Sequence, residues 1–199
     1  MSHARIGLLF GSFNPVHTGH LILAEHFATR TDLAEVWLVV SPQSPFKVAA
    51  DLLPDTERLR LVKLALAGNP RLRVEDIEFG LPRPSYTIAT LDALRQRHPT
   101  HDFVLLMGAD NLPSLPRWQE AARVLAEVDI YVYPRPGTVL PDLAHFSRVQ
   151  VMTAPLLDIS ATFIRESLRT GGSIRYLVPA AVEAELLQRK TPSDSGSGQ

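Results

Sequence analysis

The 199-residue chain is expected to fold as an α/β unit, a Rossmann-like, doubly wound and mainly parallel sheet with helices closing its C-terminal end. Three observations predict this class. Short apolar runs alternate with segments of helical period along the chain. Several runs are too continuously apolar to leave one face in water, which is the mark of strands covered by helices on both sides. The polar and turn-forming residues gather after these runs, where an open α/β sheet places its ligand crevice.

The elements follow in order. Arg5–Phe10 (RIGLLF) reads as a buried strand, and after a turn the pattern from Thr18 to Arg30 repeats at helical spacing. Glu35–Val40 is the second strand and Asp55–Ala67 the second helix. Leu72–Ile77 is the third strand, and Thr87–Arg97 is a helix. Asp102–Met107 is the fourth strand, Glu120–Glu127 a helix, and Ile130–Tyr133 and Val149–Thr153 the last two strands. Two helices close the chain. Ser160–Arg169 is ended by Gly171-Gly172, and Pro179–Arg189 begins with a proline suited to the first helical turn. One domain is expected over residues 1–190. Residues 191–199 have no apolar side chain beyond one proline and are expected to be a disordered tail.

Composition narrows the function classes. A 45% hydrophobic chain of this length fills one full-sized core. The formal charge of −1 gives no global basic field for nucleic acid or an anionic membrane, so any affinity for phosphate must be local. There is no cysteine, hence no disulfide or thiolate chemistry. The N-terminal apolar run is too short for a secretory signal and no stretch could span a bilayer, so a cytoplasmic protein is expected. Neither GxGxxG after the first strand nor GxxxxGK[ST] occurs, which removes the dinucleotide redox fingerprint and the P-loop.

The most informative stretch is Gly11-Ser12-Phe13-Asn14-Pro15-Val16-His17-Thr18-Gly19-His20. It joins a strand to a helix through turn residues and sets His17 and His20 three residues apart, at or near the first helical turn. Residues at that spacing share a face, so one bound group can touch both imidazoles. Unpaired N–H groups and the positive end of the helix dipole favour phosphate at the same place, and Gly11 leaves room for close approach. Zinc is not expected, because two imidazoles need further ligands and the chain has neither cysteine nor an HExxH pattern.

Ser160 is placed to cap its helix, with Thr162 and Arg165 in the following turns, so this start makes a second anion nest opposite the first. A triphosphate could bridge the two; in isolation the same residues describe an ordinary cap and a solvated arginine. Lys47 follows the second strand on a proline-stiffened segment within reach of a phosphate, although residue type alone fits a surface lysine equally. Arg135, in Pro134-Arg135-Pro136-Gly137, suits either a phosphate or a structural ion pair. Trp118, downstream of Gly108-Ala109-Asp110-Asn111, offers a flat face for stacking or a packing anchor.

The pattern Gly11-x-Phe13-Asn14-Pro15-x-His17-x-Gly19-His20 resembles the signature of the nucleotidylyltransferase superfamily, and especially of bacterial nicotinate-nucleotide adenylyltransferases. Ile159-Ser160-Ala161-Thr162-Phe163-Ile164-Arg165 is similar to that family's second signature, with Ala161 in place of a serine. Ser85-Tyr86-Thr87, the segment ending at Lys47, and Gly108-Ala109-Asp110 with Trp118 resemble further family elements. The resemblance implies transfer of AMP from ATP to nicotinate mononucleotide, giving deamido-NAD and pyrophosphate in NAD biosynthesis. Nicotinamide mononucleotide or phosphopantetheine is an alternative acceptor, and a non-catalytic nucleotide sensor is a further alternative. It also implies that Gly11, Ser12, Phe13, His17, Gly19, His20, Ile159, Ser160, Thr162 and Arg165 bind ATP. Asn14, Lys47, Ser85, Thr87, Gly108, Asp110, Trp118 and Arg135 bind the second substrate, with backbone N–H groups beside Asp110 and Trp118 available for its carboxylate. Catalysis is assigned to His17, His20, Lys47 and Arg165, and Mg²⁺ is expected to arrive with ATP.

Overall fold

Side-chain alternation along the strands organises the molecule, seen in a computed structural model that describes residues 3–42, 52–140, 142–143 and 146–189. The strands are β1 (Ala4–Gly11), β2 (Glu35–Val40), β3 (Leu72–Glu75), β4 (His101–Gly108), β5 (Asp129–Tyr133) and β6 (Val149–Val151). They form one six-stranded sheet in the order β3-β2-β1-β4-β5-β6, and every neighbouring pair is parallel. Successive side chains of a strand face opposite ways. Val36, Leu38 and Val40 of β2 therefore enter one core while Trp37 and Val39 enter the other, and β4 divides in the same way, Val104 and Leu106 against Phe103, Leu105 and Met107.

Helices cover both faces. On the first lie α1 (Thr18–Arg30), α2 (Asp55–Leu66), α5 (Ala161–Thr170) and α6 (Ala180–Gln188), which contribute Phe27, Leu61, Ile164 and Val182. On the second lie α3 (Thr87–Arg97) and α4 (Ala121–Glu127), contributing Leu91 and Val124. The order reverses at β1 and β4, and in such a sheet ligands bind beyond the carboxyl ends of the strands at that point. No helix among the described residues is long and apolar enough to cross a membrane.

Three elements depart from the sequence reading. The third strand ends at Glu75 rather than Ile77, because the Glu75 carboxylate accepts from the Ile77 N–H at 3.1 Å and turns the chain into a 3₁₀ helix, Ile77–Gly80. A second 3₁₀ helix, Ala109–Arg117, occupies what reads as a linker. Pro113 and Pro116 deny it an α-helical ladder, and Ala109, Leu112 and Leu115, all buried, recur every three residues as a 3₁₀ turn requires. The last strand also stops early, at Val151, so Ser160 follows it at some distance rather than directly.

Candidate active site

The turn between β1 and α1 is built around Phe13, whose φ of 44° lies in the left-handed region. A Cβ on Gly11 would stand 2.9 Å from the Phe13 ring, so glycine lets that ring fold back over the strand end. His17 is the N-cap of α1 with extended backbone, and His20 is the third helical residue. The two meet because the cap folds over the first turn: their rings stack with centroids 3.6 Å apart at 26°. Phe13 closes on the edge of His20, with ring centroids 4.9 Å apart.

This packing sets the proton positions. The His17 backbone N–H donates to Nδ1 of His20 at 3.2 Å, which leaves a hydrogen on that ring to Nε2. His17 is only 6% exposed, and burial, reinforced by the nearby Arg135 guanidinium, holds its imidazole down to about 4. At neutral pH His17 is therefore an uncharged ring, its buried Nδ1 without a hydrogen-bond partner.

The second motif docks on the first. The Ser160 hydroxyl accepts from the Phe163 N–H at 3.1 Å and caps α5 as expected. Arg165 donates to the Asn14 carbonyl at 2.9 Å and lies 3.3 Å from the Thr162 hydroxyl. A Cβ on Gly19 would lie 3.1 Å from His17 Nδ1 and 3.7 Å from Ile159, so this glycine is where the two motifs close together. The starts of α1 and α5 thus stand close together, with Arg135 near enough to His17 to act on its charge.

Arg135, just beyond β5, lies 5.4 Å above the Tyr133 ring, and its Nε stands 3.6 Å from Asp110 Oδ1. Both side chains crowd Gly108, where any Cβ would fall 2.3 Å from the Asp110 carboxylate. Ser85 is buried, and Thr87 opens α3. Trp118 ends the second 3₁₀ helix half-buried, with its indole N–H on the Ser114 hydroxyl at 3.2 Å. Its backbone N–H donates to the Leu115 carbonyl at 3.1 Å. Lys47 lies outside the described residues.

Sequence reasoning missed Arg58. This α2 guanidinium is 0% exposed and donates to the carbonyls of Ser12, Ser41 (2.8 Å), Pro42 (3.1 Å) and Leu53 (3.1 Å), and to Asp55 at 2.6 Å. It ties the loop after β1 to both described ends of the segment that carries Lys47. Arg83 holds the other oxygen of Asp55 at 2.7 Å. The sequence carries one faint signal: an arginine interrupting the apolar stripe of α2 between Pro54 and Leu61.

A doubly wound sheet with two helix N-termini and paired imidazoles at its switch point defines a nucleotide-handling protein of the α/β class. The cytidylyltransferase-like family model matches residues 8–167. A probable nicotinate-nucleotide adenylyltransferase of Cytophaga hutchinsonii is 48% identical over 94% of this chain and 97% of its own. One of Bacteroides fragilis is 47% identical over 98% and 97%. The chain belongs to this family of nicotinate-nucleotide adenylyltransferases. Plasmodium falciparum nicotinic acid mononucleotide adenylyltransferase, solved in complex with NaAD, has the same fold, with a TM-score of 0.78 at 17% identity, covering 94% of this chain and 96% of that one.

Proposed function

We propose that this chain transfers AMP from ATP to the phosphate of nicotinate mononucleotide, forming deamido-NAD and releasing pyrophosphate. An oxygen of the acceptor phosphate attacks the α-phosphorus, and the bond to the bridging oxygen of the leaving pyrophosphate breaks. The nucleophile is already anionic, so no base and no covalent intermediate are needed. Alignment and charge stabilisation carry the catalysis.

The observation that carries this reading is the stacked His17–His20 pair at the N-terminus of α1, held against the start of α5 by the Arg165–Asn14 hydrogen bond. With its Nδ1 occupied by the His17 N–H, His20 presents an Nε2 hydrogen suited to a phosphoryl oxygen whose charge grows in the transition state. The ATP phosphates lie across the two helix starts, against Gly11, Ser12, Phe13, Gly19, Ile159, Ser160 and Thr162. Arg165 and Lys47 steady the departing pyrophosphate. The acceptor lies toward Asn14, Ser85, Thr87, Gly108, Asp110, Trp118 and Arg135, where the guanidinium supplies a cation for an anionic substrate.

Mg²⁺ would come with ATP, held mostly by phosphate oxygens and water rather than by this chain's side chains, and would supply charge neutralisation on the phosphates. The donors gathered at the crevice are N–H groups and guanidinium, which suit anions, and among the described residues no group of three or more histidine or acidic side chains is arranged to hold a metal.

The test is pyrophosphate release from ATP and Mg²⁺ with nicotinate mononucleotide and nicotinamide mononucleotide in parallel. Strong preference for the acid is expected. Preference for the amide keeps the chemistry and overturns the acceptor. Silence with both, while ATP still binds, replaces the enzyme with a nucleotide sensor.

A further inference from the structure

Glu78 is an acid that the mechanism does not use and that faces no cation among the described residues. It lies in the first 3₁₀ helix, only 2% exposed, and its Oε1 is 2.8 Å from the Thr90 hydroxyl of α3. Its Oε2 is buried and has no hydrogen-bond partner, and the same is true of the hydroxyl of Ser85, itself only 8% exposed. The hydroxyls of Ser85 and Ser41 both face this carboxyl. One group thus sits among the end of β2, the turn that opens α3 and the first turns of α3 itself. The neighbouring acid, Glu75, points elsewhere: its Oε1 is 3.1 Å from Arg97 and from the Ile77 N–H, and its Oε2 is 3.6 Å from Arg73.

We propose that Glu78 is a positioning residue for the acceptor side of the crevice, an acid that ties the Ser85–Thr87 turn to the end of β2 through the hydroxyls of Ser85 and Ser41 and so fixes where that turn stands against the acceptor. This rests on the reading of Ser85 and Thr87 as acceptor-binding residues. The three groups facing the carboxyl are neutral hydroxyls, and a buried carboxylate without a cation or a full set of donors is costly. Burial raises the affinity of Glu78 for its proton, against the weaker opposing pull of the three hydroxyls. The neutral acid is both donor and acceptor, so it can bond Thr90 through one oxygen and a serine hydroxyl through the other. It also keeps a negative charge away from an acceptor that is itself an anion.

The experiment compares wild type with Glu78→Gln and Glu78→Ala in full-length protein, measuring KM for nicotinate mononucleotide and for ATP separately. Glutamine reproduces the donor and acceptor of a neutral acid, so its acceptor KM is expected within about threefold of wild type. Alanine is expected to raise acceptor KM about tenfold and to leave the KM for ATP within about twofold. An unchanged acceptor KM in Glu78→Ala, equal impairment by both substitutions, or a parallel rise in both KM values would overturn the proposal.

An infrared difference spectrum of the unliganded wild type against Glu78→Gln provides a readout independent of turnover. It is expected to show the carbonyl stretch of a protonated carboxyl, and a carboxylate band in its place overturns the neutral acid. If Glu78→Ala fails to fold, the glutamine variant and this spectrum still decide. If wild type is inactive with nicotinate mononucleotide, the functional reading fails while the spectrum is unaffected.

Discussion

At the scale of single residues, the two stacked histidines sit in different environments. His20 has a fixed tautomer and is placed to donate, so His20→Ala is expected to lower turnover by about two to three powers of ten with little change in ATP affinity, measured by steady-state kinetics and nucleotide binding. Near-normal turnover would remove the assigned role. His17 is a buried cap whose imidazole is held at about 4, against about 6.5 in an unfolded chain. The unfolded state then binds the extra proton between these values, so stability is full above about pH 6.5 and declines as pH falls toward 4. The difference corresponds to about 3 kcal/mol. Urea unfolding at pH 7 and pH 4.5 is expected to show this loss in wild type and a smaller one in His17→Asn; equal losses would place the acid sensitivity elsewhere. Trp118 separates packing from binding in a similar way. Its indole N–H is already bonded to Ser114, and Trp118→Ala is expected to raise acceptor KM; an unchanged KM would leave the ring a packing residue.

At the scale of elements, α5 shows how a helix carries its own boundaries. Ser160 caps its start, and Gly171 at φ 81° ends it, with the Gly172 N–H returning to the Ser167 carbonyl at 2.7 Å. The cap and the glycine stop were legible from Ser160 and Gly171-Gly172. Ser160→Ala is expected to cost about 1 kcal/mol in thermal or urea unfolding, and unchanged stability would mean the cap is replaced. The second 3₁₀ helix was less legible because its signal is a period of three rather than 3.6, carried by Ala109, Leu112 and Leu115 in a segment that also holds Pro113 and Pro116. The end of β3 was illegible: its residues suit a longer strand, and a side-chain hydrogen bond from Glu75 stops it.

At the scale of the molecule, Arg58 joins loops that are far apart in sequence. Its guanidinium serves carbonyls at Ser12, Ser41, Pro42 and Leu53, and removing it strands all of them and takes one of the two arginine partners from Asp55. Arg58→Met is expected to destabilise the fold by about 3 kcal/mol or more by urea unfolding, with the remaining folded protein showing weakened turnover. A loss below about 1 kcal/mol would show that water replaces the arginine without consequence.

The sequence by itself determined the order of strands along an α/β chain, most of its helices and the two motifs at the starts of α1 and α5. Strand alternation, helical period, caps and turn residues are local, and each motif lies within about ten residues. Only the tertiary structure decided how the motifs meet. The stacking of His17 on His20, the seating of Gly19 against Ile159, the reach of Arg165 to Asn14 and the burial of Arg58 and Glu78 arise when separate loops converge at the carboxyl edge of the sheet. The physical reason is that burial and hydrogen-bond satisfaction are properties of an assembled environment. A charged residue in a helical stretch carries no local sign that its partners are the carbonyls of three other segments.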